Sequence, residues 1–177
     1  MIPNFNQSGV LPPFTGDVTN PFGRAPYKVD FSEVVTRFNT SPKRKSVLSG
    51  LDEYRNQLHL IGIRNGFQWL DGSFIEDCES NRNRDPNDID LLTFAFLPKE
   101  ININNYEQLF DPEITKQKYS CDAYFIDLGV NDPIYLVNQT HYWFGLFTHQ
   151  RESYLWKGIL EIPLCNNHTY AKSFNED

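Results

Sequence analysis

The sequence predicts an α+β (α/β) domain: a sheet of about four strands with helices packed on it. Three observations predict it. Four short apolar runs rich in β-formers recur along the chain, at 67–73, 88–97, 121–128 and 156–164. Segments with helical spacing or helix-start signals lie between them. And 177 residues suffice for one domain with a substantial core that needs no staples.

The elements follow in order. Residues 1–29 hold five prolines and three glycines without periodicity. They read as an N-terminal arm, either laid extended on the core or partly disordered. VDFSEVVTRF at 29–38 reads as a short helix. Ser41-Pro42 is a helix start, serine as cap and proline at the first position. Val47, Leu51, Tyr54, Leu58 and Ile61 then follow at spacings of four, three, four and three, one apolar face of a helix over 42–62. Asn65-Gly66 ends that segment, and FQWLDGS at 67–73 is a short strand. DIDLLTFAFL at 88–97 is apolar on both faces toward its end, which places it inside the sheet. Asn105 to Lys118 reads as helix with a break and restart at Asp111-Pro112. CDAYFIDL at 121–128 is a third strand. In 132–148, Ile134 to Val137 fits a strand and QTHYWFGLF a helix. WKGILEIPL at 156–164 is the last strand. The core is expected over 42–164.

Bulk properties exclude several classes. Net charge is −7, from sixteen basic against twenty-three acidic residues. A sequence-independent nucleic-acid binder needs a basic surface to displace counterions, so that class is disfavoured. Arg24, Lys43-Arg44-Lys45, Arg82 and Arg84 could still form a local basic rim. Cys78, Cys121 and Cys165 are an odd, widely spaced set without a CxxC pair, which argues against a disulfide framework and a zinc site. No apolar run is long enough to span a bilayer, and no signal peptide is readable at the N-terminus. A cytoplasmic protein without a membrane partner is the expectation.

The chemistry is concentrated in QWLDGSFIEDCESNRNRDPNDID, residues 68–90. Asp88 and Asp90 are two apart, so on a strand both carboxylates leave the same face, with Cα atoms roughly 6–7 Å apart. Ile89 points into the core. An isolated Asp-x-Asp at a strand mouth is usually a solvated pair without function. Two such carboxylates also suit a hard divalent cation, and Mg²⁺ takes oxygen ligands together with substrate phosphates. Asp122, opening the next strand, could reach the same sheet edge, or simply cap a turn. Three aspartates could hold two metal ions about 3.5–4 Å apart, as in phosphoryl transfer. Gly72 allows close backbone approach to a ligand, and the Ser73 hydroxyl with nearby N–H groups could hold phosphate oxygens. No Ser-His-Asp or Cys-His set is readable. Cys78 sits in the polar loop with no activating base, and His59 reads as a packing or surface histidine.

This arrangement (Gly-Ser, fourteen residues, Asp-Ile-Asp, then a single strand Asp) resembles the nucleotidyltransferase superfamily of DNA polymerase beta over about 42–127. GFQWLDGSFIED, PNDIDLLTF, DAYFIDL and YWFGLFTHQRESYLWKGIL further resemble a small uncharacterised bacterial family within it. The resemblance implies a mixed sheet of about four or five strands. It also implies that Asp88, Asp90 and Asp122 are catalytic metal ligands for Mg²⁺ (or Mn²⁺), and that Gly72 and Ser73 hold a triphosphate. Arg151 and Lys157 then become candidate phosphate-binding cations, although 148–158 also reads as a solvated turn. Tyr142, Trp143 and Trp156 read as core aromatics. One departure is the 74–87 segment, longer than in many minimal members, where a helix starts at the Gly-Ser. Residues 76–86 are expected to be exposed and mobile.

The expected activity is Mg²⁺-dependent transfer of an NMP from an NTP to an acceptor hydroxyl with release of pyrophosphate, Asp122 helping to deprotonate the acceptor. The acceptor is left open: a protein, an RNA end or a small molecule. The alternative is a silent protein of this fold, acting as nucleotide sensor or as partner in a toxin-antitoxin or defence system. A protein partner or homodimer is compatible with either, and an unrelated α/β binding module is a third possibility.

Overall fold

A computed structural model describes residues 1–151 and 153–164. Cys165 lies outside them. Six helices and five strands are present among the described residues. The order of the core is the expected one, with one extra strand in the arm.

Helix α1 (Phe31–Phe38) leads into α2 (Pro42–Leu60). The Ser41 side chain accepts a hydrogen bond from the Arg44 amide, as a cap should. Val47, Leu51, Tyr54 and Leu58 are fully buried, so the four-three spacing marks the face that packs on the sheet. The restart at Asp111-Pro112 is also present. Helix α4 (Glu107–Phe110) stops, and the Asp111 carboxylate caps α5 (Pro112–Tyr119) by accepting from Glu113 and Ile114. A third pair of this kind, Asp132-Pro133, opens α6 (Pro133–Phe147). The strand reading of Ile134 to Val137 therefore fails. Proline at the first helical position and the Asp132 cap on the Tyr135 amide start one continuous helix there.

The strands are β1 (Tyr27–Lys28), β2 (Gly66–Asp71), β3 (Ile89–Ala95), β4 (Cys121–Asp127) and β5 (Leu160–Pro163). They form one mixed sheet in the order β1-β5-β2-β3-β4. β2 runs antiparallel to β3 and β5, while β3 and β4 are parallel, as are β1 and β5. Strand β3 is flanked on both sides, as its apolar composition requires. The last strand is shorter than the 156–164 run, because Trp156 leaves the ladder and bridges to His149 instead.

The N-terminal arm is laid on the core. Val10 and Leu11 are buried, and β1 adds to the sheet edge at Tyr27↔Leu160. The expected mobile loop is also different. Phe74, Ile75, Glu76 and Cys78 are buried, and Cys78–Arg82 forms a short helix, α3. Arg44 accounts for this. Its guanidinium, itself buried, pairs with Glu79 at 2.5 Å and donates to the Phe74 and Glu76 carbonyls at 2.5 and 2.7 Å. It cannot contribute to a basic rim. Ser80, Asn81 and Asn83 to Asp85 are exposed, as expected.

One sheet face, carrying Leu70, Leu91 and Ala123, packs on the helices before and between the strands, where Tyr54 meets Tyr119 and Phe110 meets Phe125. The other face carries Trp69, Asp90, Asp122 and Tyr124. It is covered by α6 through Trp69–Phe144 and Tyr124–Trp143 ring contacts. Tyr142 and Trp156, expected in the core, are both substantially exposed. No described helix is long and apolar enough to cross a membrane.

Candidate functional site

Strand β2 ends where β3, β4 and β5 begin, so one edge of the sheet gathers four chain ends. Register decides which side chains meet there. Asp71 lies opposite Asp90, and Asp90 lies beside Asp122. Residues in direct register share a sheet face, so Asp71, Asp90 and Asp122 form a row across three strands. Asp88, two residues before Asp90, extends it. The sequence-predicted carboxylates are therefore brought together, and Asp71 joins them.

Gly72 follows Asp71 with φ at +83°, where a side chain is strained. A Cβ there would come within 2.0 Å of Asp90 Oδ2. The glycine is thus needed for close approach, and the group it admits in this structure is the Asp90 carboxylate. Ser73 starts a single 3-10 turn, Ser73–Ile75, rather than a long helix.

The charges sort into two sets. In the first, Lys116 Nζ of α5 bridges Asp88 at 2.7 Å and Asp122 at 3.3 Å. Arg151, largely exposed, approaches Asp90 at 3.9 Å. Burial together with the neighbouring Asp88 and Asp122 charges pushes the Asp90 carboxyl above the usual carboxylate range. In the second, Lys157 is buried and bridges Asp71 at 2.6 Å and Glu76 at 2.7 Å. Arg82 pairs with Glu76 at 2.5 Å. Burial pushes Asp71 up to about 6 against the pull of Lys157. For Lys157, burial acts to lower the ammonium, but Asp71 and Glu76 outweigh it and hold it above its ordinary value.

Lys157 lines the same cavity as Arg151 but is buried, so the solvated-turn reading of 148–158 does not hold at this residue. Its ammonium is committed to two carboxylates and locks the Glu76 segment onto the sheet edge. Arg82 is committed in the same way, whereas Arg84 and Arg151 are exposed.

These groups line a cavity of about 390 Å³, within the roughly 300–1,000 Å³ typical of small-molecule sites. Asp71, Gly72, Ser73, Asp88 and Asp90 form one side, Arg84 and Arg151 sit among the cations, and Tyr124, Tyr142 and Trp143 supply an aromatic wall. Asp122, paired with Lys116 at 3.3 Å, is not among the residues that line the cavity. Among the described residues, no group of three or more His, Cys, Asp or Glu side chains is arranged so that it could hold a metal ion as it stands.

Sequence reasoning missed Asp71, Glu76, Lys116 and Tyr124. Asp71 had a signal. It directly precedes Gly-Ser, and a β2–β3 hairpin would set it against Asp90. Lys116 and Glu76 had none, since their partners are set by packing.

No curated protein and no solved structure matches the chain. A family model matches residues 3–163, nearly the whole described chain, and so the protein belongs to the family of unknown function DUF6932.

Proposed function

We propose that the protein is a Mg²⁺-dependent nucleotidyltransferase that moves an NMP from an NTP to an acceptor hydroxyl and releases pyrophosphate. The observation that carries this reading is the row of Asp88, Asp90 and Asp122 at the heads of two adjacent parallel strands, beside the Gly72-Ser73 turn. The donor set suits the ion. Carboxylate oxygens are hard ligands, and the Asp90 carboxyl, raised first by burial and then by the Asp88 and Asp122 charges, sits where a cation would be favoured. When bound, Mg²⁺ or Mn²⁺ would link these carboxylates to the phosphates and offset the charge that builds up there.

The chain's own residues do the rest. Arg84 and Arg151 supply guanidinium forks for phosphate oxygens around the cavity. Gly72 and Ser73 line the same space. Tyr142 offers a ring against which a base can lie. The acceptor oxygen bonds to the α-phosphorus while the bond to the leaving pyrophosphate breaks. The acceptor's proton passes to a carboxylate of the row, a role open to Asp122 once it is released from its pair with Lys116. Catalysis of this kind is mostly positioning and electrostatics.

A second reading, a protein that binds a nucleotide without transferring it, is favoured by one observation: Lys116 already pairs with two of the three carboxylates. Melting curves with each NTP, with and without Mg²⁺, followed by pyrophosphate assays in cell extract, separate the two. Mg²⁺-dependent stabilisation with pyrophosphate release supports the transferase. Stabilisation without release supports the silent binder. No stabilisation by any NTP contradicts both.

A further inference from the structure

We propose that Lys116 is an internal placeholder for a divalent cation. Its ammonium holds Asp88 and Asp122 together in the metal-free protein and has to withdraw before metal occupies the row. The inference rests on the reading of Asp88, Asp90 and Asp122 as metal ligands.

The geometry is direct. Lys116 projects from α5, whose buried Thr115 and Tyr119 anchor the helix and whose Ser120 ends it one residue before β4. Its Nζ sits 2.7 Å from Asp88 Oδ2 and 3.3 Å from Asp122 Oδ2. The two carboxylates come from different elements, so the ammonium is a bridge, the position a shared cation would take. Asp90 is served separately, by Arg151 at 3.9 Å. Three carboxylates thus face two cations. Releasing Lys116 leaves two negative charges uncompensated, which one divalent ion neutralises.

The side chain is also built to leave. It is about half exposed, 49%, unlike Lys157 at 3%. Exposed ion pairs are weak. The four-carbon stem keeps the displaced ammonium beside the cavity that Lys116 lines, where phosphate oxygens would be its next partners. The same sequence position would therefore hold the carboxylate row together and later face the triphosphate. The two lysines at this sheet edge divide the work: Lys157 is permanent, and Lys116 is exchangeable.

The test is titration of Mn²⁺ alone into the full chain, read by the electron paramagnetic resonance signal of free Mn²⁺, for wild type, Lys116→Gln, Lys116→Arg and Asp90→Asn. Lys116→Gln removes the competitor and is expected to bind Mn²⁺ roughly tenfold more tightly, the size set by loss of two weak pairs. Lys116→Arg keeps the charge and should stay near wild type, while Asp90→Asn should bind much more weakly. If Lys116→Gln binds no better than wild type while Asp90→Asn loses binding, the carboxylate reading stands and the placeholder is overturned. A gain in Lys116→Arg equal to that in Lys116→Gln also overturns it, because charge would then not matter. Absence of Mn²⁺ binding in all four proteins removes the metal-ligand reading and this inference with it.

Discussion

Lys157→Met separates a buried structural lysine from a phosphate-binding one. The ammonium is 3% exposed and bridges Asp71 and Glu76. Glu76 keeps Arg82 when Lys157 is removed, but Asp71 loses the only cation paired with it among the described residues. Leaving one buried charge without its partner costs about 3–5 kcal/mol. For a chain of this size that is roughly 2–4 °C of melting temperature per kcal/mol, or about 6–20 °C in total. The loss should depend on pH. The Asp71 carboxyl titrates at about 6 in the folded protein against 3.8 ordinarily, so the folded state holds this proton more tightly than the unfolded one. Its contribution to stability is full at low pH and falls as pH rises through about 6. Removing Lys157 raises that value further, so the variant should lose more at pH 8 than at pH 5. Adding Asp71→Asn, which replaces the stranded charge by a neutral amide, should recover much of the loss. Urea melts of the three proteins at both pH values measure it. A Lys157→Met protein within about 1 kcal/mol of wild type at pH 8, or a double variant no better than the single, would refute the buried-network reasoning and restore Lys157 as a free cation.

Other outcomes follow from the same contacts. Asp90→Asn should leave the metal-free melting temperature unchanged or slightly raised, since it relieves repulsion from Asp88 and Asp122, while abolishing NMP transfer; calorimetry and pyrophosphate release check the two halves. Gly72→Ala should lower stability by about 1–3 kcal/mol, from positive-φ strain and from displacing Asp90, whose oxygen would lie 2.0 Å from the new Cβ. It should also depress activity, by thermal melts and assay. Glu79 is held down to about 2 by Arg44, so it stabilises the fold above its ordinary 4.5 and this support is lost as pH falls toward 2. Acid titration of Glu79→Gln should accordingly show a shallower loss between those values than wild type.

The parts of the fold legible in the sequence were those written in local chemistry. Serine or aspartate followed by proline marks helix starts because cap and fixed φ act within one turn, and the four-three spacing of Val47 to Leu58 names the face of α2 that the sheet buries. The same signal at Asp132-Pro133 was present but competed with the β-rich residues after it. The row of carboxylates was legible because alternation along a strand and pairing between strands are regular. What escaped depends on contacts distant along the chain. Glu76 and Lys157 are 81 positions apart, and nothing near either announces the other. Polar composition at 76–86 suggested exposure, yet Arg44 reaches in from α2 and satisfies the carbonyls that would otherwise need water. The arm's two-residue strand was invisible because its hydrogen bonds, not its composition, make it a strand.

The central claim is that the carboxylate row transfers a nucleoside monophosphate. It is tested most directly by incubating the protein in cell extract with an NTP labelled at the α-phosphate and, in parallel, at the γ-phosphate. The account predicts Mg²⁺-dependent transfer of the α label to an acceptor, no transfer of the γ label, and loss of the signal in Asp90→Asn. Absence of α transfer by wild type, or transfer that survives Asp90→Asn unchanged, would contradict it.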